Sequence, residues 1–201
     1  ASQLKMQSGG TLTKVLRELI DCDFVRGYNT RERKIKQKDQ IYQLIDLYTL
    51  FYMQFCHPAS TDTAFWTHQM GKPRQNTWYG LAFERICMLH IPQIKQQLGI
   101  AQIYTEYYSW RSKLSTPASQ IDLLIERADN LVNLCEIKYS QAPYCITKEE
   151  DMRIRTRIAD FIGETKIRHG VLTTLITTFG LRPNPYSSIA QVQLTMDDLF
   201  V

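Results

Sequence analysis

Two apolar segments joined by a short polar turn place the strongest constraint on how this chain can fold. The segments are residues 121–125 and residues 131–138, and Arg127-Ala128-Asp129-Asn130 lies between them. Asp and Asn are residues that favour turns, and apolar runs of this length are typical of strands. The pattern therefore predicts an antiparallel hairpin centred on Asp129.

The centre of the hairpin determines which residues face each other. Paired residue numbers should sum to 258, twice 129, so Asp122 is expected opposite Glu136 and Gln120 opposite Lys138. These four side chains would share one face of the hairpin. The other face would hold only apolar side chains, as a strand that covers a core requires: Ile121, Leu123, Ile125, Cys135 and Ile137.

The predicted polar face combines residue types that suit metal-dependent hydrolysis. Asp122 and Glu136 offer the carboxylate oxygens that Mg²⁺ prefers. Lys138 could orient or activate a water molecule, or stabilise charge on a phosphoryl oxygen. The alternative is a cross-strand acid pair that Lys138 neutralises, because like charges that face each other destabilise a strand pair.

Glu84 is a third acid with an unusual setting. Residues 78–90 carry apolar side chains on nearly every face of a predicted helix, and Glu84 lies among them. An unpaired buried charge is costly, so Glu84 must face a polar cleft, a partner or solvent.

Taken in chain order, these residues resemble the PD-(D/E)XK nuclease superfamily. Glu84 precedes Asp122, and Glu136-Ile137-Lys138 follows as the Glu-x-Lys segment, although Ile121 stands where the superfamily name has Pro. The chain continues as the superfamily does, with a helix that begins at a capping box, residues 147–150, and then a β-rich run at residues 171–179.

The resemblance implies a restriction-endonuclease-like α/β fold, with a mixed central sheet flanked by helices, and hydrolysis of DNA phosphodiester bonds. It implies that Asp122, Glu136 and Glu84 hold a divalent cation, Mg²⁺ or Mn²⁺, and that Glu84 can instead act as a base through water. Lys138 would orient the nucleophile, and Gln120 would support the metal ligands or contact the substrate. The rival interpretation is a non-catalytic module of nuclease fold that docks DNA or a protein. A third is a structural domain in which Lys138 bridges both acids.

Five further segments resemble the C-terminal region of a prokaryotic family of AAA-type ATPases. In that family an ATPase domain precedes a winged helix and a nuclease-like domain. This chain contains no P-loop motif, so ATP would act only through a domain outside it, and that upstream ATPase is an expected partner. The segments are residues 80–84, 120–125, 135–140, 175–178 and 194–200.

The N-terminal region predicts half of a winged helix. Apolar residues at positions 12, 15, 16, 19 and 20 predict a helix that ends near Asp21, and residues 24–28 and 35–44 predict a hairpin. The alternative is a helix and hairpin packed on the main body. We expect a partial winged-helix segment over residues 1–45 and a nuclease-like domain over residues 46–201. The missing helices of the winged helix and the missing initiator Met suggest a piece of a longer protein.

The net charge of +4 comes entirely from the first 40 residues. Its densest part, residues 31–38, could face nucleic-acid phosphates, or it could be a solvated hairpin tip. Helix residues Arg153 and Arg157 could guide a phosphate backbone to the acidic site, although a solvated helix face is the simpler interpretation.

Cysteine usage and hydropathy indicate the compartment. The five cysteines are scattered without a C-x-x-C pair, which argues against a disulfide scaffold and a structural zinc site. No apolar run approaches the roughly 20 residues of a membrane-spanning helix, and residues 1–10 lack a signal-peptide stretch. We therefore expect a cytoplasmic protein without membrane contact.

Overall fold

The computed structural model describes residues 9–28, 41–56 and 61–200. Contacts between residues divide the chain into two units, with the division after Met70. The sequence predicts the boundary near Asp46, and the two divisions differ because Phe51, Phe55 and Trp66 pack together within the first unit. Their ring centroids lie 5.1 to 5.3 Å apart.

The N-terminal unit contains the predicted helix and hairpin. The helix ends at Asp21 as predicted, and the two strands pair antiparallel. The basic stretch at residues 31–38 lies outside the described residues. The elements are α1 (Gly10–Asp21), β1 (Val25–Tyr28), β2 (Ile41–Leu44), α2 (Leu47–Phe51), a π-helical turn (Tyr52–Cys56) and α3 (Phe65–Gln69).

The second unit is a mixed sheet with helices. Its strands are ordered β3-β4-β5-β6-β7, antiparallel from β3 to β5 and parallel from β5 to β7. The elements are α4 (Pro73–Leu89), α5 (Ile91–Gln97), β3 (Thr105–Arg111), β4 (Gln120–Arg127), β5 (Leu131–Lys138), α6 (Lys148–Thr165), β6 (Gly170–Thr177) and β7 (Val192–Thr195), with short 3₁₀ turns at Ser187–Ile189 and Asp197–Leu199.

Two element boundaries differ from the sequence prediction. Helix α4 begins at Pro73 and not at Trp78, because Pro suits the first turn of a helix, where its missing N–H costs nothing. Strand β3 ends at Arg111, so Trp110 lies near its end and does not open it. Among the described residues, no helix has the length and apolar character needed to cross a membrane.

Helices cover both faces of the central hairpin. Leu123 and Cys135 pack with Phe83 of α4 on one face, whereas Leu124 and Leu134 pack on the other face against the α6 side chain of Phe161. The sequence predicts one apolar and one polar face. The second face is also apolar along most of its length, because a sheet with helices on both sides must bury both faces.

Helix α6 carries the chain from β5 to the parallel strand β6. It begins at the predicted capping box, in which the Thr147 side chain accepts a hydrogen bond of 3.2 Å from the backbone N–H of Glu150. The crossover packs α6 against the sheet face that carries Leu134. The next residue on that face of β5 is Glu136.

Candidate active site

The pairing of β4 with β5 confirms the predicted register. Four pairs, from Leu123–Cys135 to Glu126–Val132, have residue numbers that sum to 258. Asn130 closes the turn in the left-handed region with φ of 64°, which Asn tolerates better than most residues. The ladder ends at Leu123, so Asp122 and Gln120 lie beyond its last pair, and the predicted pairs Asp122–Glu136 and Gln120–Lys138 are not part of it.

A β-bulge in β4 changes the face assignment before Leu123. The pairing moves from Tyr108 to Trp110 on β3 while it moves from Leu124 to Ile121 on β4, so β4 holds one extra residue there. Ile121 consequently packs with Trp110 on the α6 side. The prediction that Ile121 shares a face with Leu123 is wrong, and alternation across the bulge assigns Gln120 to the opposite, α4 side.

Glu136 is a buried carboxylate held by two cations. It is 7% exposed. Nη1 of Arg157 donates to both of its oxygens, at 2.8 Å to Oε1 and 2.6 Å to Oε2, and Nζ of Lys138 lies 2.7 Å from Oε1. Burial acts to raise the pKa of Glu136, but the charges and hydrogen bonds of Lys138 and Arg157 outweigh it and lower this pKa below its usual value.

Asp122 has a different environment from Glu136. Its side chain is exposed, and Nε2 of Gln120 donates a hydrogen bond of 2.7 Å to its Oδ1. The polar residues of the hairpin therefore form two separate pairs, Gln120 with Asp122 and Glu136 with Lys138. In the first pair, the amide of Gln120 orients the Asp122 carboxylate.

Glu84 of α4 is a half-buried acid near both pairs. Its pKa is raised to about 7, chiefly by burial and next by the negative charge of Asp122, while the cations Arg85 and Lys138 act in the opposite direction. Glu84 therefore exchanges its proton near neutral pH, as a general acid or base must.

A cleft of about 540 Å³ brings Glu84 and Lys138 together. Gly80 lies one helical turn before Glu84, and a Cβ atom added there would meet no other atom within 4 Å, so α4 leaves this part of the cleft open. The cleft lies between α4 and the end of β5. Its other lining residues are Asn76, Ile137, Tyr139, Ser140 and Gln141.

The acids suit a hard divalent cation by their chemistry. Within the described ranges, no three His, Cys, Asp or Glu side chains are grouped so that they could hold a metal ion. Mg²⁺, however, is commonly bound through one or two protein carboxylates, with water and substrate phosphates as its other ligands. Carboxylates of the required kind are offered by Glu84, Asp122 and Glu136. The charges of Asp122 and Glu136 act on the Glu84 carboxyl group.

Arg157 is the site residue whose contact with Glu136 sequence reasoning missed. Its side chain is 28% exposed and contacts Glu136. Arg153, in contrast, is exposed, and its side chain donates a hydrogen bond of 3.3 Å to the backbone carbonyl of Glu149. Arg157 is therefore paired with Glu136, whereas the sequence predicts a solvated helix face or a contact with a phosphate backbone. A usable signal was present, because a Glu in a mostly apolar strand needs a cation and the following crossover helix can supply one.

The Glu84→Gln variant should reveal the pKa of about 7 through the pH dependence of stability. The folded state retains the Glu84 proton to higher pH than the unfolded state, so this residue lowers wild-type stability progressively between its usual value of 4.5 and about 7. As the pH rises from 5 to 8, the free energy of unfolding of Glu84→Gln should therefore increase relative to that of wild type by roughly 2 kcal/mol. Denaturant unfolding at both pH values measures the difference.

The Glu106→Gln variant is the control for this experiment, since it removes an exposed carboxyl group from the same unit. If Glu84→Gln and wild type differed by the same free energy at both pH values, the raised pKa would be contradicted.

The fold and the cleft define a mixed α/β protein with a five-stranded sheet flanked by helices and, beside the sheet, a cleft lined by Glu84 and Lys138. No family model and no curated protein matches the sequence. A comparison of structures matches the crystal structure of AF1548, a protein of unknown function, with a TM-score of 0.39 and 15% identity. The match covers 57% of this chain and 64% of that chain, less than two thirds of either.

Proposed function

We propose that the unit Gly71–Val201 is a metal-dependent nuclease domain of the PD-(D/E)XK type that hydrolyses DNA phosphodiester bonds. The observation that carries this proposal is the cleft shared by Lys138 and by Glu84, whose pKa is about 7, with Asp122 and Glu136 acting on Glu84 from nearby. The mixed sheet with helices on both faces supports a restriction-endonuclease-like core.

Each residue of the site has a role that follows from its environment. Asp122, Glu136 and Glu84 would hold Mg²⁺ or Mn²⁺, which when bound polarises a phosphoryl oxygen. Lys138 lines the cleft, and its ammonium group, once turned from Glu136, would orient a water molecule there and stabilise negative charge. Where Glu84 does not hold the metal, it would instead accept a proton from that water, because its pKa lies near neutral pH.

DNA would reach this site with help from outside the unit. Residues 41–201 contain equal numbers of basic and acidic residues, so the basic excess of the chain lies before them. Phosphate contacts by Lys and Arg supply most non-specific affinity for DNA. We assign that contact to the N-terminal basic segment and to an upstream ATPase domain of the full-length protein, in a cytoplasmic setting.

A non-catalytic docking module is the second candidate. It is favoured by one observation, namely that Arg157 and Lys138 already neutralise Glu136. An acid whose oxygens are held in this way can stabilise the fold without any metal. In that case the nuclease fold would dock DNA or a protein and regulate the upstream ATPase.

The Lys138→Met and Asp122→Asn variants distinguish these functions. Each should lower the cleavage rate of plasmid and single-stranded DNA in Mg²⁺ or Mn²⁺ by about 100-fold or more, since each removes a charge that acts on the reacting phosphate or its metal. Asp122→Asn should in addition weaken Mn²⁺ binding, which calorimetry measures. Lys148→Met, which removes an exposed ammonium group from α6, is the matched control and should cleave normally.

Two results would contradict the nuclease proposal. One is a wild-type chain that neither binds Mn²⁺ nor cleaves DNA. The other is cleavage that Lys138→Met and Asp122→Asn leave unchanged, which would place the activity elsewhere or in a contaminant. DNA binding without cleavage, unaffected by either variant, would favour the docking module.

A further inference from the structure

Arg157 contacts the Glu136 carboxylate, which the proposed nuclease needs as a ligand for its metal. Its Nη1 bridges both oxygens of Glu136, at 2.8 and 2.6 Å, and Lys138 takes a second contact on Oε1 at 2.7 Å. No oxygen of Glu136 is therefore left without a cationic neighbour. A metal ion that approached Glu136 would meet the guanidinium at the position it has to take.

Electrostatics makes joint occupation of Glu136 unfavourable. One negative charge already faces two positive charges in a nearly buried place, with the Glu136 side chain 8% exposed. A divalent cation on the same carboxylate would add two further positive charges within a few ångströms, and repulsion is strong where water screens poorly. One of the resident cations has to leave before the metal binds.

Arg157 is better placed to leave than Lys138. Lys138 lines the cleft and can turn into it while it stays near the reacting groups. The two side chains are about equally exposed, 28% for Arg157 and 30% for Lys138, so both can reach solvent, but only Lys138 of the two lines the cleft. Its helix would stay in place, because the buried Phe161, one turn along α6, anchors α6 to the sheet.

We propose that Arg157 competes with the divalent cation for Glu136, so that metal binding requires Arg157 to release this carboxylate. This inference rests on the proposed nuclease function and adds a residue that controls its metal affinity. Arg157 is a positioning residue: it holds Glu136 and keeps its charge neutralised while no metal is bound.

The test is Mn²⁺ titration calorimetry on the full 201-residue chain, with thermal unfolding in parallel. Arg157→Gln should bind Mn²⁺ about tenfold more tightly than wild type, within the usual range of coupling between two ligands of one site. It should also gain more thermal stability from Mn²⁺. Arg155→Gln is the matched control, because Arg155 pairs with Asp151 at 2.8 Å and should leave Mn²⁺ affinity unchanged.

The Arg157→Lys variant keeps a positive charge but replaces the guanidinium with a compact, more strongly hydrated ammonium group. It should have intermediate affinity for Mn²⁺, and it serves in place of Arg157→Gln if that variant does not fold. Neither measurement depends on DNA cleavage.

The outcomes separate this inference from the proposed function. If wild type binds Mn²⁺ and Arg157→Gln binds it equally or more weakly, the competition is overturned while the nuclease proposal stands. If neither protein binds Mn²⁺, the competition is overturned, and the nuclease proposal falls with it when the wild type also cleaves no DNA. If only Arg157→Gln binds it, the competition is supported in its strongest form.

Discussion

The Glu136→Gln variant should lose roughly 3 kcal/mol of unfolding free energy at neutral pH, the order expected when one member of a buried ion pair is removed. The neutral amide leaves Arg157 and Lys138 facing each other without the anion that both of them contact. Gln also carries an NH₂ group where Glu136 offers only acceptors, so one oxygen contact becomes a contact between two donors.

Denaturant unfolding of Glu136→Gln, Arg157→Gln and the double variant measures this effect. The double variant should be less destabilised than the sum of the single variants, because it removes both charges together. Asp122→Asn is the control. The Asp122 carboxylate is exposed, so its removal should change the free energy of unfolding by no more than about 0.5 kcal/mol. A loss of that small size for Glu136→Gln would contradict the ion-pair interpretation.

The same effect has a defined pH dependence. Because the pKa of Glu136 is lowered in the folded state, its stabilisation is present above the pKa of the unfolded chain and is lost as pH falls through the lowered value. The difference in free energy of unfolding between wild type and Glu136→Gln should therefore become smaller at acid pH. A gap that stayed constant would indicate a packing effect of the substitution.

The Phe161→Ala variant should destabilise the fold by about 3–5 kcal/mol, the range for removing a large aromatic side chain from a core. Phe161 is fully buried, and its ring meets Trp110 nearly edge-on with centroids 5.4 Å apart. The remaining side chains of this core come from three strands and cannot close the cavity without moving the sheet: Tyr108, Ile121, Leu124, Val132 and Leu134.

Phe179→Ala is the matched control for Phe161→Ala. The substitution is chemically identical, but Phe179 is 54% exposed. We expect a change within about 0.5 kcal/mol, typical of surface positions. Equal losses for the two variants, measured by the same denaturant unfolding, would contradict the packing of α6 on the sheet.

Phe161 and Arg157 connect the core to the site. They are four residues apart on α6 and so lie on one side of the helix. Packing of Phe161 against β3, β4 and β5 fixes the position of α6, and Arg157 then reaches Glu136 of β5. A weakened α6 core should therefore also loosen the contacts of Glu136.

The central hairpin was predictable from local pattern. The turn at Asp129 and the apolar alternation in each strand predict one register, because a shift by one residue would move every side chain to the other face. The observed pairs from Leu123–Cys135 to Glu126–Val132 have that register. The capping box at Thr147 and the helix end at Asp21 were predictable for the same reason, since each depends on residues close in sequence.

The bulge in β4 and the Arg157 contact were not predictable in this way. The bulge arises where β4 pairs with β3, and it places Ile121 in the core that contains Trp110 and Phe161. Arg157 lies 21 residues after Glu136, and nothing in the local spacing relates them. Both features depend on how separate elements pack.

The sequence by itself determined the hairpin register and the set of candidate residues, Glu84, Asp122, Glu136 and Lys138, because strand periodicity and residue chemistry act over short distances. Only the tertiary structure decided how those residues are grouped: Gln120 with Asp122, Glu136 between Lys138 and Arg157, and Glu84 with Lys138 in one cleft. The physical reason is that ion pairs and pKa values depend on distance and burial in space. Because α6 crosses over the sheet beside β5, it sets both the burial of Glu136 and the distance from Glu136 to Arg157.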